Sequence, residues 1–333
     1  MRYSILAEVL QKLEQTSSYL QKNSLIVELL RQTPKEEIRR VIYLLLGRAW
    51  PTYESKETGI GPQQLKKALA LASGYKLNQI EEMLRYGATR VELGVQTTFD
   101  HILERMERGH TVYDSILATR LAKDAGLKVC YHMMPGLPGS DMDTDMESFK
   151  TIFEDPRFRP DMLKIYPTLV IKGTKLYEMW KRGEYTPLST EDVVKLLSRV
   201  KSIVPEWIRI QRIERDVPSH KIEAGIKESN LRQIIRKYME SKGTRCRCIR
   251  CREAGRVERE ANIDRARVHR TSYSASEGEE IFLSFEDRVS DVIFGYLRLR
   301  LPGNPYIKEI SEERSMIVRE LKVVGREVEI GKR

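Results

Sequence analysis

Three buried-strand segments constrain this chain more than any other feature: RVELGVQT (Arg90–Thr97), KVCYHMMPGLPG (Lys128–Gly139) and LKIYPTLV (Leu163–Val170). A strand alternates its faces, so Glu92, Gly94 and Gln96 share one side of the first while Val91, Leu93 and Val95 take the other. The same alternation groups Cys130 with His132 and Lys164 with Tyr166, and in a fourth run, WIRIQRI, it groups Arg209 with Gln211. Helical patterns over about Asp100–Gly126, Asp143–Phe153 and Thr190–Val204 separate these strands. Strands alternating with helices predict βαβ units and a parallel sheet. Such sheets are ordinarily apolar on both faces, so four strands with polar groups on one side predict a barrel-like sheet with a ligand-filled lumen. Each strand alone reads equally well as a polar rim; the four together favour the lumen.

The 333 residues allow two or three compact units, and 32% of them are charged. No apolar run approaches the roughly 20 residues that span a bilayer, so a membrane protein is not expected. Met1–Leu20 reads as an amphipathic helix rather than a signal peptide. Four cysteines, three of them within six positions, do not make a secreted disulfide framework and predict a reducing, cytoplasmic setting. The net charge of +10 is concentrated: Glu206–Arg256 holds 14 Lys plus Arg against 7 Asp plus Glu, a surplus of +7. Such a cluster reads either as the surface for a polyanionic partner, foremost a nucleic acid, or equally well on charge alone as a solvated basic face without a ligand.

Residues 1–74 read as a separate all-helical unit, with helices at Ser4–Leu20, Ser24–Gln32, Pro34–Arg48 and Gly61–Ser73. MRYSILAEVLQKLEQTSSYLQKNSLIVELL, YLLLGRAWP and TGIGPQQLKKALALASG in this unit resemble the start of the DNA-binding domain of archaeal ATP-dependent DNA ligases. No K-x-D-G adenylation motif follows, which excludes ligation. Cys251–His269 reads as a charged linker. The last segment reads as a hairpin, IFLSFED with DVIFGYLRLRLP, before a strand near Ser315–Val324.

Cys246, Cys248 and Cys251 offer three soft ligands on a short loop and predict a structural zinc site whose fourth ligand lies elsewhere, with His269, His220 and Cys130 the candidates in that order. Arg245, Arg247, Arg250 and Arg252 surround them and, with Arg209 and Arg212, are candidate contacts to RNA phosphates. Gly136 and Gly139 sit at a strand end where a backbone can approach a ligand.

From about Tyr75 onward, YGATRVELGVQT, RGHTV, KVCYHMMPGLPGS, PDMLKIYPTLV, GTKLYEMWKRGEY, RIQRIERDVPS, SNLRQ and RCRCIRCRE stand in the order of the catalytic subunit of Elongator, which the chain resembles over roughly three quarters of its length. The resemblance implies a tRNA carboxymethyluridine synthase acting on the wobble uridine, with S-adenosylmethionine, an iron–sulfur cluster and acetyl-CoA as cofactors. It implies tRNA, and either other Elongator subunits or a second copy, as partners. It implies an α/β fold: a partial TIM-like barrel of the radical S-adenosylmethionine type over 75–240, a zinc loop and linker over 241–270, and a truncated α+β acetyltransferase domain of the GNAT type over 271–333. On that likeness Glu92, Gln96, Gly136 and Gly139 bind the cofactor, Glu92 and Gln96 meeting either its ribose hydroxyls or its ammonium. Lys164, Tyr166 and His132 are the catalytic candidates. The family's cysteine triad, expected upstream of RVELGVQT, is absent, and no Gly-rich CoA loop follows the last strands; the chain is therefore expected to be incomplete and inactive alone. The rival reading is a non-catalytic nucleic-acid-binding chimera or fragment.

Overall fold

The computed structural model describes residues 87–325 apart from 215–216, 258–260 and 312–314, and nearer the N-terminus residues 19–34 with 9, 12–13, 15–16, 38 and 41. The chain divides into two compact units, Met1–Ala88 and Thr89–Arg333. In the first, helix α1 (Tyr19–Gln32) contains the expected Ser24–Gln32 helix. The expected helix at Gly61–Ser73, and most of Ser4–Leu20 and Pro34–Arg48, lie outside the described residues.

The second unit begins with four parallel strands, β1 (Arg90–Gln96), β2 (Lys128–Met133), β3 (Met162–Ile165) and β5 (Arg209–Ile213), side by side in that order. A parallel neighbour requires a crossover, and each is helical. The first crossover, expected as one helix, is two: α2 (Asp100–Arg105) and α3 (Val112–Asp124). Glu107 and Gly109 between them hold left-handed backbone (φ 49° and 65°), and Thr111 restarts the helix through a reciprocal capping box with Asp114. The next crossovers carry α4 (Met142–Glu154), then β4 (Val170–Ile171), α5 (Lys175–Lys181) and α6 (Thr190–Ile203). The third expected strand is split between β3 and β4, since Pro167 cannot supply a ladder N–H. Leu93, Val129, Tyr131, Leu163, Ile165 and Ile210, none more than 3% exposed, pack with Phe149, Ile152, Leu196 and Val200 of α4 and α6 to form the core.

Beyond β5 come β6 (Ile222–Ala224), which pairs with β4, then α7 (Leu231–Ser241) and the short α8 (Ile249–Arg252). The C-terminal part is an antiparallel sheet ordered β10-β9-β8-β7. The expected hairpin is β8 (Gly278–Asp287) with β9 (Val292–Leu301), and the expected last strand is β10 (Ile317–Val323). The fourth strand, β7 (Arg267–Ala275), takes the end of the stretch read as linker.

This sheet docks on the N-terminal ends of the parallel strands through charges. Asp161, fully buried just before β3, accepts from the Val129 amide (2.8 Å) and pairs with Arg319 of β10 and Arg298 of β9. Arg319 also bonds Glu280 of β8 (2.8 Å), and Arg300 joins Glu280 (2.9 Å) to Asp124 at the end of α3 (2.6 Å). Lys123 stands against Glu280 (3.4 Å), and Arg298 against Glu320 (2.9 Å). Four cations, Lys123, Arg298, Arg300 and Arg319, thus meet four carboxylates, Asp124, Asp161, Glu280 and Glu320. Burial pushes Lys123 down to about 8; at Asp161 burial raises the carboxyl, but Arg319 and Lys123 outweigh it and hold it far below its ordinary range. Removing one member of a buried network strands its partner's charge. Arg319→Met is therefore expected to cost about 3–5 kcal/mol in urea unfolding. Lys175→Met, which removes an exposed pair with Glu107, should leave the midpoint unmoved.

Candidate functional site

The register places Glu92 beside Cys130 and His132 beside Lys164, so the polar residues of three strands converge on one face. Glu92 Oε2 lies 2.7 Å from His132 Nε2 and accepts from Lys164 Nζ at 2.6 Å, while its Oε1 pairs with Arg90 (2.9 Å). Burial raises the Glu92 carboxyl, but hydrogen bonds from His132 and Lys164 and the charges of Lys164 and Arg90 prevail and bring it down to about 2. The His132 ring meets Tyr166 edge-on, with centroids 5.4 Å apart. The Cys130 thiol is pushed up to about 12, first by burial and then by Glu92. Donor atoms of Glu92, Cys130 and His132 lie within 4.8 Å of one another, but the ammonium already seated on Glu92 and the protonated thiol fit a cation-anchored cleft better than a metal centre. Lys164, Tyr166 and His132 are thus brought together, around a carboxylate that fixes two of them.

The C-terminal strand ends supply the rest. Gln96 closes β1 in left-handed backbone (φ 67°), an uncommon conformation for a non-glycine residue and one that recurs at functional sites. Its Oε1 is buried without a partner among the described residues, as are the hydroxyls of Thr97 and of Thr168 beyond β3. Three of the ten buried polar atoms left without a partner among the described residues thus lie where parallel strands present ligand sites. A Cβ on Gly94 would sit 2.8 Å from Gln96 Nε2 and 3.0 Å from an Arg108 guanidinium nitrogen, so the glycine leaves the room in which both side chains fold over the strand.

Gly136 follows β2 with φ 80°. Its amide donates to Asp145 of α4 (2.7 Å), and its carbonyl accepts from the Tyr185 hydroxyl (2.6 Å). Burial raises Asp145 to about 6 despite its bonds from the Gly136 amide and the Ser140 side chain. Arg105 approaches within 3.3 Å of the Cβ position of Gly139. Arg108, Asp145 and Tyr185 were not read from the sequence as site residues. The RGHTV segment signalled the first; Asp145 looks like any helix-start acid until the fold sets it under the glycine turn.

Cys246, Cys248 and Cys251 form the second constellation, with sulfurs within 4.8 Å of one another. Tetrahedral thiolates around one ion have this spacing, and the donor set is that of a structural site. No ligand atom of His269, His220 or Cys130 belongs to this group among the described residues, which corrects the expected fourth ligands: His269 lies on β7, His220 in the loop before β6, and Cys130 in the Glu92 cluster. Buried Lys201 instead donates to Cys251 Sγ at 3.6 Å. The triad lies at the N-terminal end of β5, where the Ile249 amide bonds the Ile208 carbonyl. The Gln96 mouth is at the opposite end of the strands, so the cysteines fit a structural metal and do not fit a cluster that must touch a cofactor held there.

Two of the expected RNA contacts are corrected. Arg209 is buried in a bidentate pair with Glu253 (2.6 and 3.1 Å), and Arg252 is fully buried, bonded to Glu286 and to the carbonyls of Arg247 and Glu206. A guanidinium committed in this way holds α8 to β5 and the C-terminal sheet and cannot reach a phosphate. Arg212, Arg245 and Arg247 keep exposed side chains, each beside a carboxylate: Glu214, Asp291, and Asp291 with Glu206. Arg250 lies among the cations Arg232, Arg256 and Arg209; burial and then these charges lower its pKa.

Comparison with known proteins agrees with this geometry. The Radical SAM superfamily model matches residues 30–152, and the Radical SAM C-terminal domain model matches 160–241. A solved structure of Methanocaldococcus infernus Elp3 with an N-terminal deletion superposes with a TM-score of 0.74 at 42% identity, covering 98% of this chain and 73% of that one. The tRNA uridine(34) acetyltransferase of Methanocaldococcus jannaschii is 54% identical over 253 residues, 75% of this chain and 47% of the relative. Elongator complex protein 3 of Saccharomyces cerevisiae is 44% identical over 250 residues, 74% of this chain and 45% of the relative. The fold and the site define an α/β protein of the radical SAM type. The chain belongs to the Elongator protein 3 family, and it spans about half the length of the curated relatives it matches.

The depressed Glu92 carboxyl makes a pH prediction. A folded-state value near 2 against an ordinary 4.5 gives stability that is present above 4.5 and lost as pH falls from 4.5 toward 2. Wild type should lose more unfolding free energy than Glu92→Gln between pH 5 and pH 3; parallel losses would mean that the carboxylate is not held as described.

Proposed function

We propose that this chain provides the cofactor-facing sheet and part of the RNA-binding surface of an enzyme that modifies uridine 34 of tRNA. The observation that carries the reading is the Glu92–His132–Lys164 cluster below the orphaned polar groups of Gln96, Thr97 and Thr168. It is supported by relatives whose names state that activity. In this reading Glu92, Gln96, Gly136 and Gly139 line an S-adenosylmethionine cleft. Arg108 and the Gln96 amide offer donors and an acceptor to a zwitterionic head group. The cofactor, when bound, supplies a reactive carbon–sulfur bond.

The chain's own groups bind and position. Lys164 Nζ donates to Glu92 at 2.6 Å and offers its remaining donors to an anionic substrate group. His132 Nε2 bonds Glu92 at 2.7 Å, and Tyr166 packs on its ring, so the imidazole is oriented for proton exchange. The family also implies an iron–sulfur cluster, but the three clustered cysteines, at the end of the strands opposite Gln96, do not fit it. Relatives are named acetyltransferases; residues 271–333 serve in our reading as an incomplete acetyltransferase domain behind the barrel at 75–240 and the cysteine loop at 241–270. With no cysteine triad at the strand mouth, we expect binding without turnover. Other Elongator subunits or a second copy are the expected protein partners. A cytoplasmic location accords with four free thiols, and among the described residues no helix is long and apolar enough to cross a membrane.

Arg245, Arg247 and Arg250 on the cysteine loop, with Arg212, are the proposed phosphate contacts. Replacing the three loop arginines by Glu should weaken tRNA binding at least tenfold in a low-salt gel-shift titration, and the wild-type affinity should fall steeply with salt. Reversing Lys12, Lys35, Arg39 and Arg40 should change little. Loss in this second variant with retention in the first would move RNA recognition to the N-terminal unit and leave the rival nucleic-acid-binding reading in its place.

The cysteine loop is proposed to hold one zinc. Metal analysis should find one ion per chain and a clear loss in Cys248→Ser; an unchanged zinc content in the triple Cys246, Cys248 and Cys251 serine variant would reject the site.

A further inference from the structure

The turn after β2 is held from several sides. Gly136, in left-handed backbone, donates its N–H to Asp145 Oδ2 at 2.7 Å and accepts the Tyr185 hydroxyl on its carbonyl at 2.6 Å. Just before it, the Pro135 carbonyl accepts the Thr168 amide (2.9 Å), and the Met134 amide bonds the Gln96 carbonyl (3.0 Å). Leu188 closes over the glycine, 3.0 Å from where a Cβ would stand. The turn therefore ties together the ends of β1, β2 and β3, beside the unpartnered side-chain atoms of Gln96 and Thr168. A small change in the Gly136 dihedrals would move all of them.

An aspartate is a costly residue for this hold. Asp145 lies in the first turn of α4, 4% exposed, and burial keeps its carboxyl at about 6 although the Gly136 amide and the Ser140 side chain both bond it. For a carboxyl raised from its ordinary 3.8, the stability present below 3.8 is lost as pH rises through 6, so ionised Asp145 weakens the fold at neutral pH. An asparagine would accept the same amide without desolvating a charge. The titratable groups that face Asp145 are Asp141, at the start of α4, and Tyr185, and neither supplies a positive charge. What the charge adds is strength, because a carboxylate binds an N–H about twice as tightly as a neutral acceptor does.

We propose that Asp145 and Tyr185 are positioning residues for the cofactor: from opposite sides they lock the backbone of Gly136, so that the turn meets its ligand in one geometry, firmly while Asp145 is ionised and loosely once it is protonated. Both act through the glycine rather than by touching the ligand. What the turn positions rests on the reading of Gly136 and Gly139 as part of an S-adenosylmethionine cleft; the hold on the turn is a property of the chain without any ligand.

Two measurements on the full chain test the hold and the positioning separately. In nuclear magnetic resonance with isotope-labelled glycine and no ligand, the Gly136 amide signal of wild type should titrate with a midpoint near 6, and Asp145→Asn should abolish that titration. Tyr185→Phe should keep the titration while the Gly136 amide exchanges with solvent about fivefold faster. Both substitutions nearly conserve volume, so far-ultraviolet circular dichroism should match wild type. In equilibrium dialysis with S-adenosylmethionine, wild type should bind about fivefold more weakly at pH 5 than at pH 7.5. Asp145→Asn should show a flatter profile, and Tyr185→Phe should bind more weakly at both pH values with the wild-type profile. A Gly136 signal that stays fixed across this range, or that moves equally in Asp145→Asn, would overturn the hold. Binding by wild type with the same pH profile as Asp145→Asn would overturn the positioning role. An intact titration with no S-adenosylmethionine binding by wild type would reject the cofactor cleft, and with it what the turn positions, while confirming the hold.

Discussion

The carboxylate of Asp161 is the point on which the second unit is assembled. It fixes the start of β3 by accepting the Val129 amide of β2, and it receives Arg319 and Arg298 from two strands more than 130 positions later. One fully buried anion thereby sets the register of the parallel strands and anchors the antiparallel sheet beneath them. Desolvating so many charges costs several kcal/mol for each ion, and the arrangement holds because cations and carboxylates balance and the guanidiniums also bond carbonyls, as Arg319 does with Leu127 and Arg300 with Ala275. Such a network tolerates little displacement, which suits a sheet that must present Glu92, His132 and Lys164 in one geometry.

The two ends of the parallel strands are thereby given different work. The N-terminal ends carry the ion network, the Arg209–Glu253 pair and the cysteine loop, which join the chain's parts. The C-terminal ends carry left-handed backbone at Gln96 and Gly136, and buried polar atoms of Gln96, Thr97 and Thr168 without a partner among the described residues. Parallel α/β sheets place their chemistry at the C-terminal ends, and the division here follows that rule. It also separates the cysteines from Gln96 and Gly136 by the length of a strand.

Much of this was legible in the sequence because a strand's period of two is strict. Once RVELGVQT is a strand, Glu92 and Gln96 must share a face, and parallel register then brings His132 and Lys164 to them. The helices expected over Asp143–Phe153 and Thr190–Val204 match α4 and α6 to within a residue at each end. What sequence could not show is where a charge goes. Arg209 and Arg252 look like their exposed neighbours in a basic run, yet a carboxylate 44 positions from one and 34 from the other draws each inside. The linker reading failed at β7 for a related reason: RVHRTSYSA is polar enough to pass for loop, and only pairing with β8 makes it a strand. Asp145 and Tyr185 stayed hidden because their importance lies in one peptide group that both hold.

Equilibrium dialysis with radiolabelled S-adenosylmethionine tests the central claim, that the Glu92-centred cleft is a cofactor site, most directly. The account predicts saturable one-to-one binding by wild type, competed by S-adenosylhomocysteine and weakened at least tenfold in Gln96→Ala, because a buried amide that loses its ligand bond and a charged partner costs about 1.5–3 kcal/mol. Non-saturable binding by wild type, or equal affinity in the two proteins, would contradict it.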